Sequence, residues 1–116
     1  MEVLAHLRSC SDVWGGAITT ILRGDEPLLR AVNPLVWIRG TDYLRRSYRD
    51  NCRNFADQRA ALLDELRMLP DAQWLQHITV TGAGARRERS VADYASRLAL
   101  HERSHWRQMA RLVGTA

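Results

Sequence analysis

Four histidines stand in the chain: His6, His77, His101 and His105. His101 and His105 are spaced i and i+4. On a helix that spacing sets them one turn apart and about 40° apart around the axis, so both imidazoles can reach one ion. They belong to the run His101-Glu102-Arg103-Ser104-His105, which has the H-E-x-x-H form. A zinc protease of that pattern takes a third ligand from downstream and lays its substrate along an edge strand. Only eleven residues follow His105, and none is His, Asp, Glu or Cys. The protease reading is therefore set aside, and any third ligand must come from upstream.

His6 is the upstream candidate. It lies on the apolar face of a first helical segment, between Val3 and Leu7. A lone histidine there would read as a hydrogen-bonded core residue. Three histidines on the inner faces of two helices can instead converge. Buried together without a cation, they would carry ring nitrogens that are hard to satisfy. A divalent metal removes that difficulty and leaves a position open for water or a thiolate. Cys10 follows His6 by one turn. It reads either as a fourth ligand, since thiolate suits zinc, or as a small apolar filler beneath the site. Glu102 has three readings: general base on a metal-bound water, a carboxylate orienting a histidine, or a surface residue. His77, in a loop after Trp74, reads as exposed or structural.

These residues need helices to hold them, and three segments carry helical periodicity. The first runs from about Glu2 to Arg23, with Val3, His6, Leu7, Cys10, Trp14, Ala17 and Ile21 on one face. Gly15-Gly16 weakens its middle and Gly24 stops it. Residues 25–41 are broken by Pro27, Asn33-Pro34 and Gly40. They read as a loop with one helical turn, and their leucines, Val36, Trp37 and Ile38 should pack it onto the body. The second helix is expected from an N-cap at Thr41 or Asp42 to Leu69, with a stripe of Leu44, Tyr48, Cys52, Phe55, Leu62, Leu66 and Leu69. Pro70 ends it, and Asp71 caps a short turn containing Trp74. Thr79-Val80-Thr81 reads as a short extended piece, followed by a flexible basic loop through Gly82 and Gly84. Ser90 caps the third helix, with Asp93 three residues on approximating a capping box. Its inner face is Val91, Ala95, Leu98, His101 or Glu102, His105, Met109 and Leu112.

Length and composition agree with one all-α domain over residues 1–116. Apolar residues make up 46% of the 116 and charged residues 26%, an ordinary globular balance. No apolar run reaches the ~18–20 residues of a membrane span, and MEVLAHLRS is not a secretory signal. The expected compartment is cytoplasmic, so Cys10 and Cys52 should be reduced thiols. All 17 basic residues are arginine, which excludes lysine chemistry. The densest groups are Arg45, Arg46 and Arg49, and Arg86, Arg87 and Arg89. They read as a solvated face and a basic loop, or as contacts for an acidic ligand. Neither has the aromatic interleaving of a nucleic-acid site.

The stretches EVLAHLRSCSDVW, FADQRAALLDELRMLPDAQW and SVADYASRLALHERSHWRQMARL resemble the DinB/YfiT-like superfamily. The chief matches are His6 within EVLAHL, and His101 and His105 within HERSHWRQM. The resemblance spans nearly the whole chain. It implies an up-down four-helix bundle with a divalent metal, zinc or nickel, on His6, His101 and His105. It further implies a transferase using a low-molecular-weight thiol of the mycothiol, bacillithiol or glutathione type. The arginines would then bind the carboxylates of the thiol or of the substrate. A metal-dependent hydrolase and a non-catalytic metal-binding stress-response module are the alternatives. Family members usually carry a helix before the segment holding the first histidine, so this chain is expected to supply three of the four. The uncovered strip should drive homo-oligomer formation: ~400 Å² of apolar surface is worth ~10 kcal/mol before the cost of docking. Folding back of residues 25–41 over the strip is the intramolecular alternative. No nucleic-acid or membrane partner is expected.

Overall fold

A computed structural model describes residues 2–114, with side chains described through residue 107. Glu2 opens the first helix, α1 (Val3–Arg23): its carboxylate accepts from the backbone N–H of Leu4 at 2.7 Å and of Ala5 at 3.0 Å. Gly24 closes it in the left-handed conformation, φ 69°, donating its N–H back to Thr20 and Ile21. The helix runs unbroken through Gly15-Gly16. Thr19 and Thr20 donate their hydroxyls to the two glycine carbonyls, and Ala17, Ile18 and Ile21 beyond them are buried.

Residues 25–47 are more ordered than a loop. They form a short strand β1 (Leu28–Arg30), a helical turn α2 (Pro34–Trp37), and 3₁₀ turns at Ile38–Gly40 and Tyr43–Arg45. The expected packing of this segment is only partly met. Ile38 is buried, but Leu28, Leu35, Val36 and Trp37 are exposed. The turns still lie against α1, and the Trp37 indole N–H donates to Asp12 at 3.0 Å.

The second long helix, α3 (Tyr48–Arg67), starts five to six residues later than the sequence suggests, capped by Ser47 rather than Thr41 or Asp42. The delay has a cause. Residues 41–46 are held in the 3₁₀ turn, where the Tyr43 hydroxyl donates to Asp12 and the Tyr43 carbonyl accepts from Asn51 Nδ2 at 2.9 Å. The buried stripe also differs. It is Asn51, Phe55, Leu62 and Leu66, while Leu44, Tyr48 and Cys52 are exposed. Asn51 is wholly buried because its amide is satisfied. It accepts from Arg8 at 3.0 Å and donates to Glu2 and the Tyr43 carbonyl, which ties the start of α1 to α3.

After α4 (Asp71–Trp74), where Pro70 rather than Asp71 holds the cap position, come β2 (His77–Thr81) and β3 (Arg87–Ser90). β2 is central, parallel to β1 with Leu29 opposite Val80 and antiparallel to β3 with Ile78 opposite Arg89. The extended piece at Thr79–Thr81 is thus one strand of a three-stranded sheet. The basic stretch after it is a strand rather than a loop. Gly82 and Gly84, both at positive φ, make the connection. β3 passes directly into α5 (Val91–Gly114), where Ser90 and Asp93 form the reciprocal capping box at 2.8 and 3.1 Å.

The molecule is mainly helical, as expected, with a small sheet on one flank. α1 is the middle element, packed against both α3 and α5. The main core joins Ile18 and Ile21 of α1, Leu62 and Leu66 of α3, Ile78 of β2, and Val91, Tyr94 and Leu98 of α5. A smaller cluster of Leu4, Leu7 and Phe55 fixes the other end. Met109 and Leu112, expected on the inner face of α5, lie outside the residues whose side chains are described. Among the described residues no helix is long and apolar enough to cross a membrane.

Candidate metal centre

Between the two core clusters the inner faces of α1 and α5 carry polar groups. His6 and Cys10 come from α1, and His101 and His105 from α5. The centre of the group is His101, whose Nε2 is 3.2 Å from Nε2 of His6 and 3.2 Å from Nε2 of His105. Ring centroids are 5.1 Å apart for His6–His101, 4.5 Å for His101–His105 and 5.4 Å for His6–His105. The Trp14 ring meets His101 edge-on at 5.2 Å. Cys10 Sγ is 3.7 Å from His6 Nε2 and 3.9 Å from His101 Nε2. His6, Cys10 and His101 offer donor atoms within 4.8 Å of one another.

Hydrogen bonds alone do not settle this cluster. A neutral imidazole nitrogen has either one hydrogen or one lone pair, so His101 Nε2 can satisfy one of its two neighbours and not both. A cation among the nitrogens would take every lone pair. Two nitrogens bound to zinc at ~2.0–2.1 Å with a tetrahedral angle stand about 3.3 Å apart, close to the separations here. A thiolate at ~2.3 Å would stand about 3.5 Å from each nitrogen, a little nearer than Cys10 lies. His6, Cys10 and His101 therefore suit a divalent cation, and His105 stands beside them next to His101.

Electrostatics favours the same use. Burial, reinforced by the neighbouring His105 and His6, pushes the pKa of His101 down to about 4. Burial, and then His105, also lowers that of His6. Neutral imidazole is the metal-binding form. Burial, reinforced by the Glu102 charge, raises the Cys10 thiol to about 11, so Cys10 is a neutral thiol unless a cation stands beside it.

Glu102 faces inward as well as His101, and it forms an ion pair with Arg59 of α3. Burial raises its pKa, and Arg59 opposes the rise. His77 lies away from the cluster, exposed on β2 and 3.4 Å from Glu88. Sequence reasoning missed Arg59 and Asn51, which brace α3 against the helices that carry the donors. Their partners are 43 and 49 residues distant, beyond the reach of any local spacing rule.

The sequence pattern of the DinB superfamily matches residues 1–109. The chain belongs to the DinB superfamily. No curated protein and no solved structure matches it. In this DinB chain the matched region includes His6, Cys10, His101 and His105, with all of α1 and most of α5.

Proposed function

We propose that His6, His101 and His105 bind one divalent metal, zinc or nickel, and that the protein is a transferase for a low-molecular-weight thiol. The observation that carries this reading is that His101 Nε2 lies 3.2 Å from Nε2 of His6 and 3.2 Å from Nε2 of His105, ligand-to-ligand spacing in both contacts. When bound there, the cation supplies a Lewis acid that lowers the pKa of an incoming thiol. The chain's own groups do the rest. The two helices fix the imidazoles in place. Glu102, its basicity raised by burial, takes the thiol proton, and Arg59 holds that carboxylate at the site. Cys10 fills the space beneath the donors as a neutral thiol.

Metal analysis of tag-free protein, then a thiol-transfer assay with and without chelator, tests the reading. His105→Ala should lose stoichiometric metal while helical content stays intact. Retention of metal in that variant would refute the three-histidine set. Glu102→Gln should keep its metal and lose about 10²–10⁴-fold in transfer rate.

One observation favours a second reading, a non-catalytic metal module: Cys10 Sγ stands near ligand range of two histidines. With Cys10 bound the coordination sphere would be closed to substrate. Cys10→Ser separates the two. The transferase reading expects metal content to survive, and the closed site expects it to fall.

A further inference from the structure

On the other side of Trp14 from His101 lies a cleft of about 520 Å³ between α1, the sheet and α5. Four arginines from three separate elements line it: Arg30 of β1, Arg87 and Arg89 of β3, and Arg97 of α5. Arg87 and Arg89 are two apart on a strand, so both point to one face, while Glu88 between them turns away toward His77 and Thr79. The Arg97 guanidinium lies over the Trp14 ring at 5.4 Å.

Among the described residues none of the four makes an ion pair. The nearby carboxylates are engaged elsewhere. Asp12 at the cleft wall accepts from Trp37, Tyr43 and Gln58, and Asp93 accepts from the Ser90 N–H in the capping box. Arginine stays charged at any working pH, so among the described residues four fixed positive charges outnumber the carboxylates at the cleft, Asp12 on its wall and Asp93 beside Arg89. Solvated arginines on a convex surface would need no explanation. Here they converge on a concavity whose floor is apolar, formed by Ala17, Leu29 and Val80. That pairing of charged walls and an apolar floor selects an organic body bearing acidic groups over a bare inorganic ion.

We propose that this cleft binds a small organic anion carrying two or more carboxylate or phosphate groups on an apolar body. The site is distinct from the histidine cluster and shares only the Trp14 wall with it, so it stands whether or not the metal reading does.

Calorimetric titration of the full chain, at fixed ionic strength, tests this with isophthalate, benzene-1,3,5-tricarboxylate, phenyl phosphate, benzoate and inorganic phosphate. The expected result is one binding site per chain for at least one organic polyanion, about tenfold or more tighter than for benzoate or inorganic phosphate. Arg97→Gln should weaken it about tenfold or more, with metal content unchanged. Arg87→Gln, on an edge strand, should do the same should the Arg97 variant fold poorly. Arg45→Gln, outside the cleft, should bind as the parent does. Failure of every organic polyanion to bind below roughly 10 mM, equal affinity for benzoate, or unchanged binding in both cleft variants would overturn the proposal. So would a single-stranded oligonucleotide that binds more tightly than the small anions and loses affinity in the same variants.

Discussion

At the residue scale the histidine cluster is set by burial acting on protonation. His101 ionises at about 4 in the folded chain and near 6.5 when exposed. Between those values the unfolded chain takes up a proton that the folded chain refuses. The contribution of His101 to stability is therefore complete above pH 6.5 and is lost as pH falls through the window toward 4. His6, lowered in the same direction, adds to the trend. Chelator-treated protein should accordingly show a lower urea midpoint at about pH 5 than at about pH 7, and His101→Gln should flatten the difference. An unchanged midpoint across that range would mean that the imidazoles ionise freely when folded.

At the element scale, α1 is an unbroken two-sided scaffold with a glycine pair near its middle. A Cβ at Gly15 meets nothing within 4 Å, and the residue sits in ordinary helical backbone. Gly15→Ala should stabilise the protein by about 0.5–1 kcal/mol, read as a rise of several degrees in thermal midpoint. A fall would show that the pair serves a close approach not apparent from its surroundings. The elements also mark where sequence reasoning succeeds and stops. α1 and α5 were legible because apolar periodicity, the Gly24 stop and the Ser90-Asp93 box all point the same way. The meeting of His6, Cys10 and His101 follows from the same periodicity, which sets all three on inward faces. The start of α3 was not legible, because its buried stripe includes Asn51, a polar residue that hydropathy counts as surface. β3 was missed because Arg87-Glu88-Arg89-Ser90 has no apolar alternation. Backbone pairing to β2 makes it a strand. The arginine cleft depends on that strand, so its arginines read as two unrelated groups until the sheet brings them together.

At the scale of the whole molecule, α1 has neighbours on both sides, whereas α3 and α5 each keep apolar groups in water. Leu63 on α3 and Met68 at its C-cap, and Leu100 and Trp106 on α5, are exposed, Leu100 by 68% and Trp106 by 58%. The turns of residues 34–40 cover part of α1 and none of these four. We propose that a second copy of the chain covers them. Sedimentation at micromolar concentration should give a dimer or larger species, and Leu100→Glu should shift it toward monomer. A monodisperse monomer that binds no hydrophobic dye would reject the assembly.

The contact between His6 and His101 joins positions 95 residues apart, near opposite ends of the chain. A cation held by both would work as a clasp. It would close a loop through almost the whole polypeptide and remove part of the freedom of the unfolded chain. A covalent cross-link of that span is worth about 4–5 kcal/mol, and long loops gain the most from such closure. The same ion that serves chemistry would then decide how long the fold persists. Loss of metal would then weaken both ends of the chain together, leaving α1 and α5 joined only by the apolar core of Ile18, Ile21, Val91 and Leu98.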